Sequence, residues 1–228
     1  MNKIRVMNEL LSNKIAAGEV VEKVVSIVKE LVENSVDAKA TNIKIDLKEA
    51  GIREIIVTDN GIGMSREDAP LAFQRHATSK LYTDDDLWNI SSLGFRGEAL
   101  PSIAAVSDVV LKTCEGEVGT MVHIKGGKIE KVTSSEARVG TQITVTSMFY
   151  NTPARLKHLR SPYAELANVV EYVNKMALSY PSIKFRLTND DKEILNTDGS
   201  GNQLKVIKSI YGLDVAKRML EIKNANDD

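Results

Sequence analysis

The chain has 228 residues and a mass of 25.1 kDa, with 43% hydrophobic and 27% charged residues, a composition that excludes collagen-like, disordered and membrane-spanning classes. The formal net charge of -1 excludes a strong overall attraction to DNA or anionic lipid, so any such contact must be local. The single cysteine, Cys114, excludes an internal disulfide framework and a cysteine-based zinc site, and it indicates a reducing compartment, which we expect to be the cytoplasm.

Two helices are predicted at the start of the chain. The first is expected over 9–17, ending at Gly18, and the second over about 20–36. In the second helix, apolar residues recur every three or four positions, which is typical of a buried helix face: Val21, Val24, Val28, Leu31 and Val32. Glu30 and Asn34 lie one turn apart on a different, polar face, which we expect to point away from the core.

The rest of the chain predicts mainly strands, because apolar residues alternate between glycine-rich turns. We expect a hairpin of strands over 42–48 and 52–58, strands over 108–113, 120–125, 128–133, 141–147, 183–188 and 192–196, and helices over 65–73, 98–106, 154–178 and 203–211. A last strand is expected over 219–222.

The polar pair Glu30 and Asn34 is the first candidate for chemistry. A carboxylate can orient a water molecule by accepting its proton, and an amide oxygen one turn away can ligate Mg²⁺, so the pair suits metal-assisted hydrolysis. Polar pairs at this spacing also occur on ordinary solvated helix faces, and the pair alone leaves both interpretations open.

Two glycine-containing loops are the other candidates. The run 59–64 follows a strand, where Asp59 can accept from an exocyclic amine and the glycines let backbone approach a flat ligand; a tight turn without a ligand is the alternative. In the run 93–100, two glycines flank an arginine before a helix, which suits phosphate binding; an unliganded loop is the alternative. Neither run matches the P-loop or the GxGxxG signature.

In chain order, these segments resemble the amino-terminal ATPase domain of the MutL mismatch-repair family. The resemblance is carried by the runs 13–21, 29–35, 59–61, 75–80, 93–100, 139–141 and 149–155. Of these, the runs 75–80 and 94–100 are the most specific. DNA gyrase, heat-shock chaperones and sensor histidine kinases share the ATPase fold of this family. The resemblance therefore implies an α+β fold: a two-layer α/β sandwich whose mixed, mainly antiparallel sheet is covered by helices on one face.

The resemblance also implies a role for each candidate residue, with ATP and Mg²⁺ as cofactors. Glu30 would be the general base for the attacking water, Asn34 the Mg²⁺ ligand and Asp59 the residue that reads adenine. The adenine side would include Gly61, Gly63 and Met64, with Thr141 supporting Asp59. The phosphates would be covered by a set of residues that we call the phosphate lid: Thr78, Ser79, Lys80, Leu93, Gly94, Phe95, Arg96, Gly97, Glu98, Ala99 and Leu100.

The resemblance implies a slow, Mg-dependent ATPase that acts as a switch in DNA mismatch repair. ATP would order the phosphate lid and drive homodimerisation. The dimer would then bind DNA and a mismatch-recognition protein of the MutS family. We expect this to take place in the cytoplasm, at the nucleoid in a bacterium, with no membrane contact. We expect the ATPase domain over 1–212 and the start of a truncated second lobe over 213–228.

Family members complete the site with a lysine from the second lobe, which leaves an alternative without turnover, and the shared ATPase fold leaves another. One is a nucleotide-gated DNA-binding scaffold without turnover. The other is a sensor kinase, which is disfavoured because none of the three histidines lies in a recognisable phosphoacceptor helix.

Sequence-independent DNA contact is predicted where basic residues cluster without acidic ones, between Glu136 and Glu165. The candidates are Arg155, Lys157 and Arg160, and an ordinary solvated helix start is the alternative.

The sequence departs from the family pattern at 23–25, where Lys, Val and Val replace the usual arginine, proline and small residue, and at two further positions. Lys39 stands where glycine is usual. Pro101 stands where alanine is usual, and because proline lacks an amide we expect it to shift or loosen the start of its helix.

Overall fold

A computed structural model describes residues 7, 9–80, 88, 92–94, 97–159 and 161–220. In this part of the chain, eight strands form a single sheet: β1 (Asn42–Lys48), β2 (Glu54–Asp59), β3 (Asp108–Cys114), β4 (Gly119–Lys125), β5 (Lys128–Ser135), β6 (Gly140–Thr146), β7 (Lys184–Asn189) and β8 (Lys192–Asn196). Their order is β5-β4-β3-β6-β2-β1-β7-β8. Only the pairing of β1 with β7 is parallel among these strands, so the predicted mixed, mainly antiparallel sheet is confirmed.

The described helices are α1 (Glu9–Val20), α2 (Val24–Asp37), α3 (Asp68–Leu71), α4 (Ala99–Ala105), α5 (Pro153–His158), α6 (Pro162–Ser179), α7 (Gln203–Tyr211) and α8 (Leu213–Lys217). None of them combines the length and the apolarity that a bilayer-spanning helix needs.

The core lies between the helices and one face of the sheet. Alternate residues of β1, namely Ile43, Ile45 and Leu47, are fully buried, and the remaining β1 residues are polar and more exposed. The predicted apolar stripe is buried throughout, and all of it except Val21 lies on α2, facing these strands. Each such aliphatic side chain contributes about 1.5–3 kcal/mol on burial, so this layer is the main source of stability. The two-layer sandwich is therefore confirmed.

The first helix does not end at Gly18 as predicted but continues to Val20. The guanidinium of Arg155 lies against this helix, and a Cβ atom at Gly18 would be 2.0 Å from Arg155 Nη2. Gly18 therefore allows a close approach inside the helix rather than ending it. The second helix starts later than predicted, at Val24, whose amide donates to the buried Glu165 carboxylate at 3.3 Å.

The helix predicted over 154–178 is two helices, α5 and α6. The second begins at Pro162, and the Ser161 hydroxyl accepts from the Ala164 amide at 3.3 Å. A serine cap followed by proline is a strong start signal, and the residue before a proline disfavours helix. The helix predicted over 65–73 is limited to α3, and the Ser65 hydroxyl accepts from the Asp68 amide at 3.0 Å.

Near the end of the described chain, Gly212 has φ +87° and separates α7 from α8. Met219 and Leu220 are not in a strand, so the strand predicted over 219–222 is wrong at these two positions. The other two positions lie outside the described residues.

Pro101 does not disturb its helix as expected. It is the third residue of α4, which begins at Ala99, and the amide of Ser102 donates to the Glu98 carbonyl at 3.0 Å. The first amides of a helix have no acceptor within the helix, so a proline at this position removes no helical hydrogen bond.

We predict that Lys39→Gly stabilises the fold. Lys39 connects α2 to β1 with φ +61°, a conformation that favours glycine, and its side chain is exposed. The relief of backbone strain outweighs the greater entropy of unfolded glycine, and we expect a gain of about 0.5 kcal/mol in the free energy of unfolding. Urea denaturation measures it, with Lys39→Ala as the control that keeps the strain. A less stable glycine variant would contradict the prediction.

Candidate functional site

The site is built around Asp59, the last residue of β2, whose side chain reaches the edge of the helical layer. Asp59 is only 5% exposed. Its Oδ1 atom accepts from the amides of Gly61 at 2.8 Å and Thr141 at 3.2 Å, and its Oδ2 atom accepts from the Ser35 hydroxyl at 2.9 Å. Burial raises the pKa of Asp59, and these three donors oppose the rise. A carboxylate buried in this way is typical of functional sites.

The loop after Asp59 is packed tightly against the ends of β3 and β6. Gly63 has φ +73°, and a Cβ atom there would lie 2.1 Å from the Cys114 carbonyl oxygen. The Met64 amide donates to Thr113 Oγ1 at 2.9 Å, and that oxygen lies 3.0 Å from Thr141 Oγ1. The structure thus brings the predicted Gly61, Gly63, Met64 and Thr141 together. The close approach that Gly63 allows is to the chain's own backbone.

A second group of polar side chains lies on α2. Glu30 and Asn34 are both half-buried, as the predicted polar face requires. The Asn34 Oδ1 atom accepts from Lys80 Nζ at 3.1 Å, so the predicted metal ligand and the predicted lid lysine are in contact. The Thr78 hydroxyl accepts from the Lys80 amide at 3.1 Å, and Ser79 is exposed beside it.

The described part of the run 93–100 contacts the same helix. The amides of Leu93 and Gly94 donate to the Asp37 carboxylate at 3.0 and 3.1 Å. A Cβ atom at Gly94 would lie 3.7 Å from Asn34 Oδ1, so this backbone is next to the polar face of α2. Phe95 and Arg96, which are also predicted site residues, lie outside the described residues.

Glu98 connects the second part of the phosphate lid to the segment that precedes Thr78. Its carboxylate pairs with Arg75 Nη2 at 3.1 Å and with His76 Nδ1 at 3.0 Å, and the His76 amide donates to the Gly97 carbonyl at 3.2 Å. An acidic side chain engaged in this way does not donate to a phosphate, so any contact of Glu98 with an anion is through its backbone. Ala99 and Leu100, half-buried, form the first turn of α4.

The few oxygen ligands on the polar face of α2 suit a Mg²⁺ ion that binds together with a phosphate-bearing ligand. Among the described residues, no group of three or more His, Cys, Asp or Glu side chains could hold a metal ion. Asn34 supplies one hard oxygen, with Glu30 one turn away on the same helix. Mg²⁺ commonly keeps several waters and binds one or two protein oxygens together with substrate phosphates, which matches so sparse a set.

Three residues that support the site were given no role from the sequence, although the helical pattern places Asp37 near Glu30 and Asn34. Ser35 follows Leu31 by four positions, and a polar residue in an apolar helical stripe was a usable signal. Asp37 follows Asn34 by three positions and lies on its face, which was a weaker signal. Thr113 is brought to the site only by the pairing of β3 with β6, and no local pattern indicates it.

The residues predicted to contact DNA do not share one environment in the structure. Arg155 donates from Nη2 to the Lys14 carbonyl at 3.0 Å, and its Nη1 atom is buried with no partner among the described residues. Its guanidinium is therefore engaged with α1, and DNA contact by Arg155 stays a prediction. Lys157 is exposed on α5. Arg160 lies outside the described residues.

The comparisons with known proteins agree with this architecture. Residues 22–158 match a family described as histidine kinase-, DNA gyrase B-, and HSP90-like ATPase. The DNA mismatch repair protein MutL of Lactiplantibacillus plantarum is 50% identical over 228 residues, which are 100% of this chain and 34% of that protein. MutL of Anoxybacillus flavithermus is 52% identical over 223 residues, which are 97% of this chain and 37% of that protein. The chain thus spans about a third of the length of these relatives.

Solved structures with the same fold include the Aquifex aeolicus MutL ATPase domain complexed with ADP. It has 29% sequence identity and a TM-score of 0.66, and the match covers 84% of this chain and 70% of that one. The N-terminal domain of a DNA repair protein has 28% identity and a TM-score of 0.75, covering 88% and 60%. Since the family match covers more than half of the sequence, the chain belongs to the histidine kinase-, DNA gyrase B- and HSP90-like ATPases and, within them, is similar to the MutL ATPase domain.

Proposed function

We propose that this chain binds ATP with Mg²⁺ and hydrolyses it slowly, as the amino-terminal switch of a MutL-type mismatch-repair protein. The observation that carries the proposal is the buried Asp59 carboxylate. An ionised carboxylate has about four lone-pair positions, and three protein donors occupy three of them at Asp59. The remaining position suits the exocyclic amine of adenine, while Gly61, Gly63, Met64 and Thr141 hold the carboxylate and its loop in place.

The phosphates and the metal would bind between α2 and the phosphate lid. Lys80 Nζ and Asn34 Oδ1 are 3.1 Å apart, so a cationic donor for phosphate and an oxygen ligand for Mg²⁺ are adjacent. Bound Mg²⁺ would neutralise charge on the phosphates. Glu30, one turn before Asn34, would hold the attacking water and accept its proton, while Leu93, Gly94 and Gly97 would bring backbone over the phosphates.

The role in the whole protein is proposed from the relatives. MutL proteins with about 50% identity act in DNA mismatch repair, and the similar Aquifex aeolicus domain was solved with ADP. We propose ATP-dependent homodimerisation, weak sequence-independent DNA contact that includes Lys157, and engagement of a MutS-family protein in the cytoplasm. The ATPase domain would extend to residue 212, with a second lobe starting at Leu213. The break at Gly212 and the exposed Leu213 and Val215 support this boundary.

Calorimetric titration with the non-hydrolysable analogue AMP-PNP tests nucleotide binding directly. We expect saturable binding in the presence of Mg²⁺ and at least about tenfold weaker binding with EDTA, because the metal screens the phosphate charge. Absence of binding under both conditions would refute the proposal. Phosphate release from ATP then separates the two functions: release supports the ATPase, and binding without release supports a nucleotide-gated scaffold.

A further inference from the structure

A row of polar and basic side chains crosses the sheet on the face opposite the helices. Residues in register on neighbouring strands, from β4 to β7, form this row: Met121, Lys112, Gln142, Thr58, Lys44 and Arg186. On β1, Lys44 lies between the buried Ile43 and Ile45, so the row points away from the core. Four strand spacings of about 4.8 Å separate Lys112 from Arg186, which places cations along about 19 Å of the sheet.

Two shallow depressions lie along this row and meet in its middle. Their volumes are about 430 and 400 Å³, and both are lined by Arg138 and Gln142. The Gln142 Nε2 atom donates to Thr58 Oγ1 at 3.1 Å, which fixes the neutral centre of the row. Lys184, two residues before Arg186 on β7, also lines the second depression. We call the row together with Arg138 and Lys184 the basic groove.

Three carboxylates that are not buried lie beside the basic groove. Asp46 pairs with Lys44 at 2.8 Å, and Glu193 pairs with Nε of Arg186 at 3.0 Å. All four of these side chains are partly exposed, and exposed ion pairs contribute little, so they can exchange for another anion. Glu136, the third carboxylate, is exposed at the border of the first depression.

The exposed Lys112 and Lys184 lie toward the two ends of the basic groove. No carboxylate among the residues that the structure describes pairs with either of them. Five cations, including the exposed guanidinium of Arg138, therefore face three carboxylates, and the groove is positive although the formal net charge of the chain is -1. This charge suits a polyanion that binds along the surface.

We propose that the basic groove binds the phosphate backbone of DNA. The proposal rests on the DNA contact proposed above and gives it a second surface, distinct from α5. Lysine, arginine, glutamine and threonine side chains all donate to phosphate oxygens without reading bases. The row contains no aromatic side chain on which a base could stack. Because phosphates follow at about 3.4 Å per strand along the duplex axis, about 19 Å corresponds to five or six phosphates of one strand.

The test is the double variant Lys112→Gln/Lys184→Gln, which removes two exposed charges from the groove and no core contact. Its binding to a labelled DNA duplex of about 20 base pairs is followed by fluorescence anisotropy at several NaCl concentrations. Each lost phosphate contact lowers the slope of log K against log salt by about 0.9, so we expect a decrease of about 1.8. At about 50 mM NaCl we expect the Kd to rise at least about tenfold.

Lys125→Gln/Lys128→Gln is the matched control. These two lysines are exposed, are in register on β4 and β5, and lie on the same face of the sheet. Lys125 is four residues from Met121, about 13 Å along the strand, so the control removes the same charge outside the groove. We expect its Kd to stay within about twofold and its slope within about 0.5 of the unmodified chain. Equal losses in the two double variants would reflect overall charge and would overturn the proposal.

Two further measurements separate this inference from its alternatives. A poly-glutamate peptide that binds as tightly as DNA, and loses affinity equally in Lys112→Gln/Lys184→Gln, would assign the groove to acidic protein segments and overturn its assignment to DNA. Weaker DNA binding in Lys157→Gln, with none in Lys112→Gln/Lys184→Gln, would overturn the groove and leave the proposed contact at α5 intact. Failure of the unmodified chain to bind DNA would overturn both DNA contacts, while the AMP-PNP titration decides nucleotide binding independently.

Discussion

Asp59→Asn is expected to raise the Kd for AMP-PNP about 100-fold or more while leaving the fold at least as stable. The carboxylate is the acceptor proposed for the adenine amine, and loss of a hydrogen bond to a charged group reduces binding by about 1.5–3 kcal/mol. The asparagine also directs an NH₂ group toward the amine, which weakens binding further. Titration calorimetry of the variant and the unmodified chain measures the difference.

The stability of Asp59→Asn follows from the partners of the carboxylate. Asparagine Oδ1 can still accept from the amides of Gly61 and Thr141. Its Nδ2 can donate to the Ser35 hydroxyl, whose single proton then goes to the Leu31 carbonyl 3.0 Å away. The variant no longer buries a charge, so its free energy of unfolding at pH 7 is expected to equal or exceed that of the unmodified chain. A large loss of stability would mean that weak binding reports misfolding rather than a lost contact.

The pH dependence provides an independent check on Asp59. Burial raises its folded-state pKa above the ordinary aspartate value, so the folded chain binds this proton more tightly than the unfolded chain. The contribution of this group to the free energy of unfolding therefore increases as pH falls from neutral toward the raised pKa. The difference in stability between the unmodified chain and Asp59→Asn should change in that direction over this interval. A difference that is independent of pH would contradict the raised pKa.

The strands could be predicted because the order of apolar and polar residues along them matches the buried and exposed faces of the sheet. In β1 and β6, buried aliphatic residues alternate with polar ones, and the glycines that separate the strands are visible in the sequence. The start of α2 could not be predicted in this way. Its first amide donates to Glu165, a residue 141 positions later, so the helix boundary depends on a tertiary contact.

In the candidate site, too, residues in short sequence motifs could be predicted, whereas residues that depend on contacts across the fold could not. Glu30, Asn34 and Asp59 occur in short motifs whose chemistry is evident, and the resemblance to a family assigned them roles. The residues that hold them were harder to find because their contacts are made across the fold. Thr113 reaches Thr141 through strand pairing, and Asp37 reaches Leu93 through a contact between segments 56 positions apart.

Glu30→Gln is expected to lower ATP turnover by about 10²- to 10⁴-fold, the usual contribution of a general base, while the Kd for AMP-PNP changes less than about threefold. Glutamine keeps the size of the side chain and can still contact water, but it cannot accept the proton as hydrolysis proceeds. Phosphate release under single-turnover conditions, with the chain in excess over ATP, measures the loss even when steady-state turnover is slow.

Glu33→Gln is the control that decides between two carboxylates on the same helix. Burial raises the pKa of Glu33, a property that also suits a general base, and the neighbouring charge of Glu30 adds to the rise. However, Glu33 pairs with Lys29 at 3.9 Å, and Tyr172 of α6, whose hydroxyl donates to the Lys29 carbonyl at 3.4 Å, lies next to this pair. We therefore expect Glu33→Gln to retain turnover within about threefold of the unmodified chain, since it removes no group that contacts the attacking water. Loss of turnover in Glu33→Gln together with normal turnover in Glu30→Gln would transfer the role of general base to Glu33.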